Sequence, residues 1–289
     1  MFIDTHAHLN FQAFANDRDE VIKRTLAHNV WLINVGSNYF SSQKAVQIAQ
    51  SYENGVFACV GLHPLHCLAQ DEQNVSLISQ QLSSAKENEQ EKLDINQYRE
   101  LAKAKKVVGI GEIGLDYLHQ PLHKAKAAIF QQKQKEAFLA QLQLAYELSL
   151  PVVLHCRKAH EDLIKTLSVF FLKRNLRHNY NGAQMKAVVH CFTGNWEQAQ
   201  RYLEMGFYLG FNGIIFKMDL QKVIKKIPLE RILIETDCPF LTPPILAEQR
   251  NEPLNVKYIA QSIAHIHNQP LEKIAHITTQ NAQTLFNLS

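Results

Sequence analysis

Short apolar runs bounded by polar or turn-forming residues recur along the chain at Phe2–His8, Val30–Val35, Val56–Leu62, Val107–Glu112, Val152–His155, Ala187–Cys191, Gly206–Phe211 and Ile232–Thr236. Most are nearly continuous in hydrophobic residues, as in parallel strands buried on both faces. Helical periodicity fills the segments between them. Phe138, Leu142, Ala145 and Leu148 fall on one helical face, and Pro151 marks the exit into the next strand. Asn195 to Met205 reads as another helix, stopped by Gly206, and Val256–His267 and Leu271–Phe286 read as closing helices. The polar stretch Ser83–Arg99 predicts loops or an exposed helix, and Thr242-Pro243-Pro244 predicts a loop.

Strand–helix alternation repeated in this way predicts an α/β fold, a (β/α)8 TIM barrel of parallel strands, with residues 1–289 forming one domain. A doubly wound open sheet is the alternative, but no glycine-rich phosphate loop follows the first run. Barrel active sites sit at the C-terminal ends of the strands. Potential metal ligands fall at those ends: His6 and His8, Glu112, His155, His190 and Asp237.

The two-residue spacing of His6 and His8 points both imidazoles to one side of a strand. Glu112 lies in Gly109-Ile110-Gly111-Glu112-Ile113-Gly114-Leu115-Asp116, where glycines permit close backbone approach beside the carboxylate. A carboxylate buried after an apolar run needs a cation, and bridging two ions would use both of its oxygens. His155 and His190 end successive apolar runs, while Asp237 can bind metal and also accept a proton from attacking water. Asp116 is expected in a turn or hydrogen-bonded to a ligand, and Glu235 is a candidate for the same supporting role.

This donor set exceeds what a single catalytic zinc takes from protein, so two divalent ions (Mg, Mn or Zn) are expected at the C-terminal face. Two ions roughly 3.5–4 Å apart make hydroxide at neutral pH and stabilise displacement at phosphorus. Arg157 follows His155 by two residues and could grip a phosphate bidentately, or make a surface salt bridge. His63, in Gly61-Leu62-His63-Pro64, could contact substrate or a leaving group, or be bonded within its own turn. The remaining histidines read as surface or packing residues.

Charge narrows the partners. Thirty basic against 27 acidic side chains leave a formal charge of only +3, so any nucleic-acid contact must come from a local patch. Lys103, Lys105 and Lys106, or Lys173, Arg174 and Arg177, could supply one, although both clusters read more simply as solvated faces. The 5 cysteines have no CxxC spacing and do not form a disulfide or zinc-finger framework, which suits a reducing, cytoplasmic setting. Cys156, Cys191 and Cys238 each follow a proposed ligand, and strand alternation predicts that they point away from it. No run is long enough for a transmembrane helix, and a cleaved leader would remove His6 and His8, so the mature chain is expected to start near Met1.

At these residues the chain resembles the TatD family of metal-dependent deoxyribonucleases. The matching pieces are Asp4-Thr5-His6-Ala7-His8-Leu9, Gly61-Leu62-His63-Pro64, Gly111-Glu112-Ile113-Gly114-Leu115-Asp116-Tyr117, Leu154-His155-Cys156-Arg157, His190-Cys191-Phe192-Thr193-Gly194 and Glu235-Thr236-Asp237-Cys238-Pro239. Asn251-Glu252-Pro253 and Thr279-Gln280-Asn281-Ala282 extend the match towards the C-terminus.

The resemblance implies a two-metal barrel hydrolase cleaving DNA phosphodiesters, often from 3′ ends. On that pattern His6, His8 and Asp237 serve one ion, His155 and His190 serve the other, and Glu112 bridges them. From the residues themselves, Asp237 and Glu112 are expected to be the catalytic carboxylates, with Arg157 and His63 on the substrate. The expected partner is DNA, as 3′ ends or single strands, met by a monomer without a membrane. The segment Leu118–Gln132 is longer and more basic than the family pattern, which predicts a different substrate loop. Ile245–Arg250 lacks the His/Tyr-Arg-Gly motif common before Asn-Glu-Pro. Two rivals stand beside this reading: a two-metal hydrolase of a small ester, amide or aminoacyl substrate, and a non-catalytic binding scaffold.

Overall fold

The computed structural model describes residues 1–67, 91–174 and 185–288. Ser83 to Gln90 of the polar stretch, together with Arg177 and His178, lie outside the described residues. Eight parallel strands form one sheet in sequential order: β1 (Phe2–Ala7), β2 (Val30–Val35), β3 (Val56–Val60), β4 (Val107–Asp116), β5 (Val152–Arg157), β6 (Ala187–Val189), β7 (Tyr208–Phe211) and β8 (Ile232–Ile234). A parallel bridge between Ala7 and Cys238 brings the first strand to the chain beyond the last, nearly closing a (β/α)8 barrel. The backbone bonds Asp237 N–H to His6 O (2.8 Å) and His8 N–H to Cys238 O (2.9 Å) support that seam.

The helices are α1 (Arg18–Ala27), α2 (Tyr39–Gln50), α3 (Ile95–Leu101), α4 (Lys124–Leu148), α5 (His160–Lys173), α6 (Trp196–Glu204), α7 (Gln221–Ile224), α8 (Val256–His267) and α9 (Leu271–Phe286). Helix α6 begins at Asn195, whose side chain accepts from Gln198 N–H while Gln198 reaches back, a reciprocal cap. The segment 118–132 departs from the expected loop. Lys124-Ala125-Lys126-Ala127-Ala128 favours helix, so α4 starts there and leaves only Tyr117–His123 as a loop. Among the described residues no helix is long and apolar enough to cross a membrane.

Two hydrophobic layers form the core. The larger lies between strands and helices, and includes Leu32, Ile110, Leu154 and Leu167. The smaller fills the barrel with Ile3, Ile33, Val153, Val188 and Leu233, and Leu285 and Phe286 of α9 pack into it.

The strand ends differ from the expected limits in an informative way. β6 and β8 stop at Val189 and Ile234, so His190 and Asp237 stand beyond regular pairing. β4 runs on to Asp116, because its ladder with β5 continues through Gly114 opposite His155 and Asp116 opposite Arg157. Register shifts between Asp4 and Ala7 in β1, and between Ile110 and Ile113 in β4. Each shift adds one residue relative to the neighbouring strand, inverting which side chains face the barrel. Ile3 and His6 therefore both point inward, which uniform alternation would forbid.

Candidate metal centre

The bulge in β1 turns His6 and His8 into the barrel, where their Nε2 atoms lie 3.1 Å apart. His8 Nδ1 is 2.9 Å from the Val35 carbonyl, which can only accept, so Nδ1 carries the proton and Nε2 offers a lone pair. His6 Nε2 lies 3.4 Å from Glu112 Oε2, and His8 Nε2 lies 3.4 Å from Asp237 Oδ1. Asp237 reaches this position from a left-handed turn, with φ of 57°.

The bulge in β4 places Glu112 at the centre, 4% exposed. Glycine is needed on both sides: a Cβ at Gly111 would meet Val153 Cβ at 2.5 Å, and one at Gly114 (φ +148°) would meet His155 O at 2.0 Å. Glu112 Oε1 lies 2.5 Å from His155 Nδ1 and 3.1 Å from His190 Nε2, while its other oxygen faces His6. The outer nitrogens of these two imidazoles also meet carboxylates. His155 Nε2 is 3.1 Å from Asp116 Oδ2, and His190 Nδ1 is 3.0 Å from Glu235 Oε1. Glu235 is itself held by Cys191 N–H and Asn212 Nδ2–H.

Such crowding fixes the charge states. Burial alone would raise Glu112, but the surrounding imidazoles, His190 foremost, hold its carboxyl well below the usual range. Burial likewise opposes ionisation of Asp237, yet its bond to His8 and the charge of His190 leave it lowered. For His155, desolvation is outweighed by Glu112 and Asp116, which pull the imidazole up to about 9. His190 is also raised, by Glu235 and Glu112 against burial. His6 moves the other way, lowered by burial and by His190.

Ionised carboxylates facing imidazole nitrogens in a buried pocket form a donor set suited to divalent cations. Three trios have donor atoms within 4.8 Å of one another: His6, Glu112 and His190; His6, His8 and Asp237; and His63, Glu112 and His155. All of the expected ligands thus meet at one place, and His63 joins them, its ring 4.3 Å from that of His155. Arg157 stands apart, exposed at the end of β5.

The two basic clusters do not line this centre. Lys103 pairs with Glu100, Lys106 bonds the Glu53 carbonyl and covers Phe57, and Arg174 stacks on Phe170. The described members sit at the end of a helix or in its connection to the next strand, at the opposite end of the barrel. Cys156 and Cys238 are packed in the outer core as expected. Cys191 is not: β6 has already ended, φ there is 46°, and Sγ lies 3.5 Å from Asn212 Oδ1. Asn212 escaped the sequence reading, although a polar residue one past the apolar β7 run was an available signal.

A family model described as TatD related DNase matches residues 3–287. The chain is 36% identical to a protein of Bacillus subtilis named uncharacterized metal-dependent hydrolase YabD, over the full length of both. It is 33% identical to the 3′-5′ ssDNA/RNA exonuclease TatD of Pantoea ananatis, over 99% of each chain. The crystal structure of YjjV, a TatD homolog from Escherichia coli K12, superposes with a TM-score of 0.77 at 27% identity, covering 100% of this chain and 98% of that one.

Proposed function

The chain belongs to the TatD family of metal-dependent hydrolases, and from that premise we propose that it is a deoxyribonuclease removing nucleotides from the 3′ ends of single-stranded DNA. The observation that carries this reading is the convergence of Glu112, Asp237 and four imidazoles at the C-terminal mouth of the barrel. The exonuclease name borne by relatives of near-equal length supports the choice of substrate.

In this reading His6, His8 and Asp237 would hold one divalent ion, His155 and His190 would hold a second, and Glu112 would serve both. Bound there, such ions would supply activation of water near neutral pH and offset phosphoryl charge. Asp237, ionised and with its side chain 16% exposed, takes the proton released by the attacking water. Arg157 grips a phosphate from the rim, and His63 contacts the substrate from the turn that follows the third strand. The ligands are largely buried, which favours an unpaired strand end over the side of a duplex. Residues 1–289 act as one domain and as a monomer in the cytoplasm, where free thiols such as those of all five cysteines persist.

The test is cleavage of a 3′-labelled single-stranded oligonucleotide by chelator-stripped protein, with Mg or Mn restored, beside Glu112→Ala. Label loss that needs the metal and falls by at least about 10³ in the variant is expected. A metal-loaded wild type that leaves DNA intact but cleaves small model esters would overturn it in favour of the small-substrate hydrolase.

A further inference from the structure

Five histidines face the centre, and the outer contact of four of them fixes which ring nitrogen looks inward. His8 and His190 give their Nδ1 protons to a carbonyl and a carboxylate, so each turns Nε2 inward. His155 uses the opposite nitrogen: Nε2–H faces Asp116, and Nδ1 faces Glu112. His63 reverses the pattern. It caps the short 3-10 turn Pro64–His66, and its Nδ1 accepts the Leu65 N–H at 3.1 Å.

A nitrogen that accepts a hydrogen bond holds no proton, so the ring's one proton is on Nε2. That atom points inward, 3.7 Å from Glu112 Oε1. It has no lone pair for a cation, despite belonging to a trio with Glu112 and His155 that matches ligand spacing. The distance to Glu112 is also too long for a hydrogen bond, leaving the N–H directed at the space beside Glu112 Oε1.

We propose that His63 is a hydrogen-bond donor to an anionic phosphoryl oxygen of the substrate, with its tautomer set by the 3-10 turn, and is not a metal ligand. This rests on the phosphodiesterase reading above. The backbone supports the assignment: His63 N–H donates to Ser37 O at 2.8 Å, and His66 N–H to His63 O at 2.9 Å, so the main chain is held on both sides and the ring through Nδ1. A donor preorganised in this way acts when charge develops on the oxygen.

Two isosteric changes separate the functions of the two nitrogens. His63→Asn places an amide oxygen near Nδ1 and keeps the cap but removes the inner N–H. His63→Gln places an amide N–H near Nε2 and gives up the cap. Metal content per chain, measured by elemental analysis, should equal wild type in both. Turnover of the labelled oligonucleotide should fall about 10²-fold in His63→Asn, with roughly tenfold of that recovered in His63→Gln.

Long-range 15N–1H spectra of wild-type protein should show His63 in the Nε2–H form, a readout independent of activity and of how the variants fold. Loss of metal from His63→Asn, an Nδ1–H signal, or undiminished turnover with full metal content would each overturn the assignment. A wild type that binds metal and cleaves no phosphodiester would instead sink the nuclease reading, while the metal counts and the tautomer would still decide between ligand and donor.

Discussion

The half of the centre built from β1 and the chain after β8 is held differently from the half built from β4, β5 and β6. In the first, His8 is oriented by a carbonyl, and Asp237 by a backbone bond to His6 O. Behind them Asp4, fully buried and with its carboxyl pushed well up by burial, accepts from Thr236 N–H at 2.8 Å and from Thr236 Oγ1–H at 2.5 Å. Asn251 ties the Thr236 and Phe240 carbonyls together. In the second half, ionisable carboxylates do the orienting: Asp116 holds His155, and Glu235 holds His190. The first half is thus part of the seam that closes the barrel. The second is an electrostatic device laid on strands that are already paired.

That difference predicts separate failures. Asp116→Asn removes the carboxylate behind His155 without disturbing the seam. Affinity for one ion, followed by calorimetric titration, should weaken about 10–100-fold, with the melting temperature little changed. Equal weakening of both ions would erase the distinction between the halves.

Asp4→Ala should do the reverse, leaving the Thr236 N–H and the hydroxyl proton without their acceptor inside the seam. A loss of about 2 kcal/mol in unfolding free energy is expected from denaturant melts, with metal affinity in the surviving fold near wild type. A variant as stable as wild type would show that the seam does not depend on this carboxyl.

Taken per pH unit, the smallest effect is the sharpest discriminator. His155, raised to about 9 without a cation, must lose its Nδ1 proton to ligate. Affinity at its half should therefore fall as pH drops below about 9, by up to tenfold per unit for each proton displaced. At the other half His6 is lowered and Asp237 ionised, so binding there should stay flat from pH 9 to 7. Metal titrations across that range should resolve one pH-dependent and one pH-independent equivalent, and two parallel slopes would contradict the comparison.

Much of this was legible along the chain, because parallel strands and their connecting helices leave local marks. Val30–Val35, Val256–His267 and Leu271–Phe286 fall where the hydrophobic pattern placed them, and the expected ligands end apolar runs. The helix from Lys124 was less legible, since its first turns present lysines and alanines with no apolar stripe to announce a buried face. His63 carried two readings that looked exclusive, a turn-bonded histidine or a substrate contact. The structure joins them, one on each ring nitrogen.

The sequence by itself determined the element order, the donor types and their approach to strand ends, since hydrophobic periodicity and residue chemistry are local properties. Only the tertiary structure decided the phase of those donors. A one-residue bulge in β1 and another in β4 invert the facing of every later side chain, and bulges depend on pairing with a neighbouring strand. The same holds for proton placement on the imidazoles. It is set by partners such as Val35 O, Asp116 and Glu235, all of them more than 25 residues away, which meet the rings only once the barrel has closed.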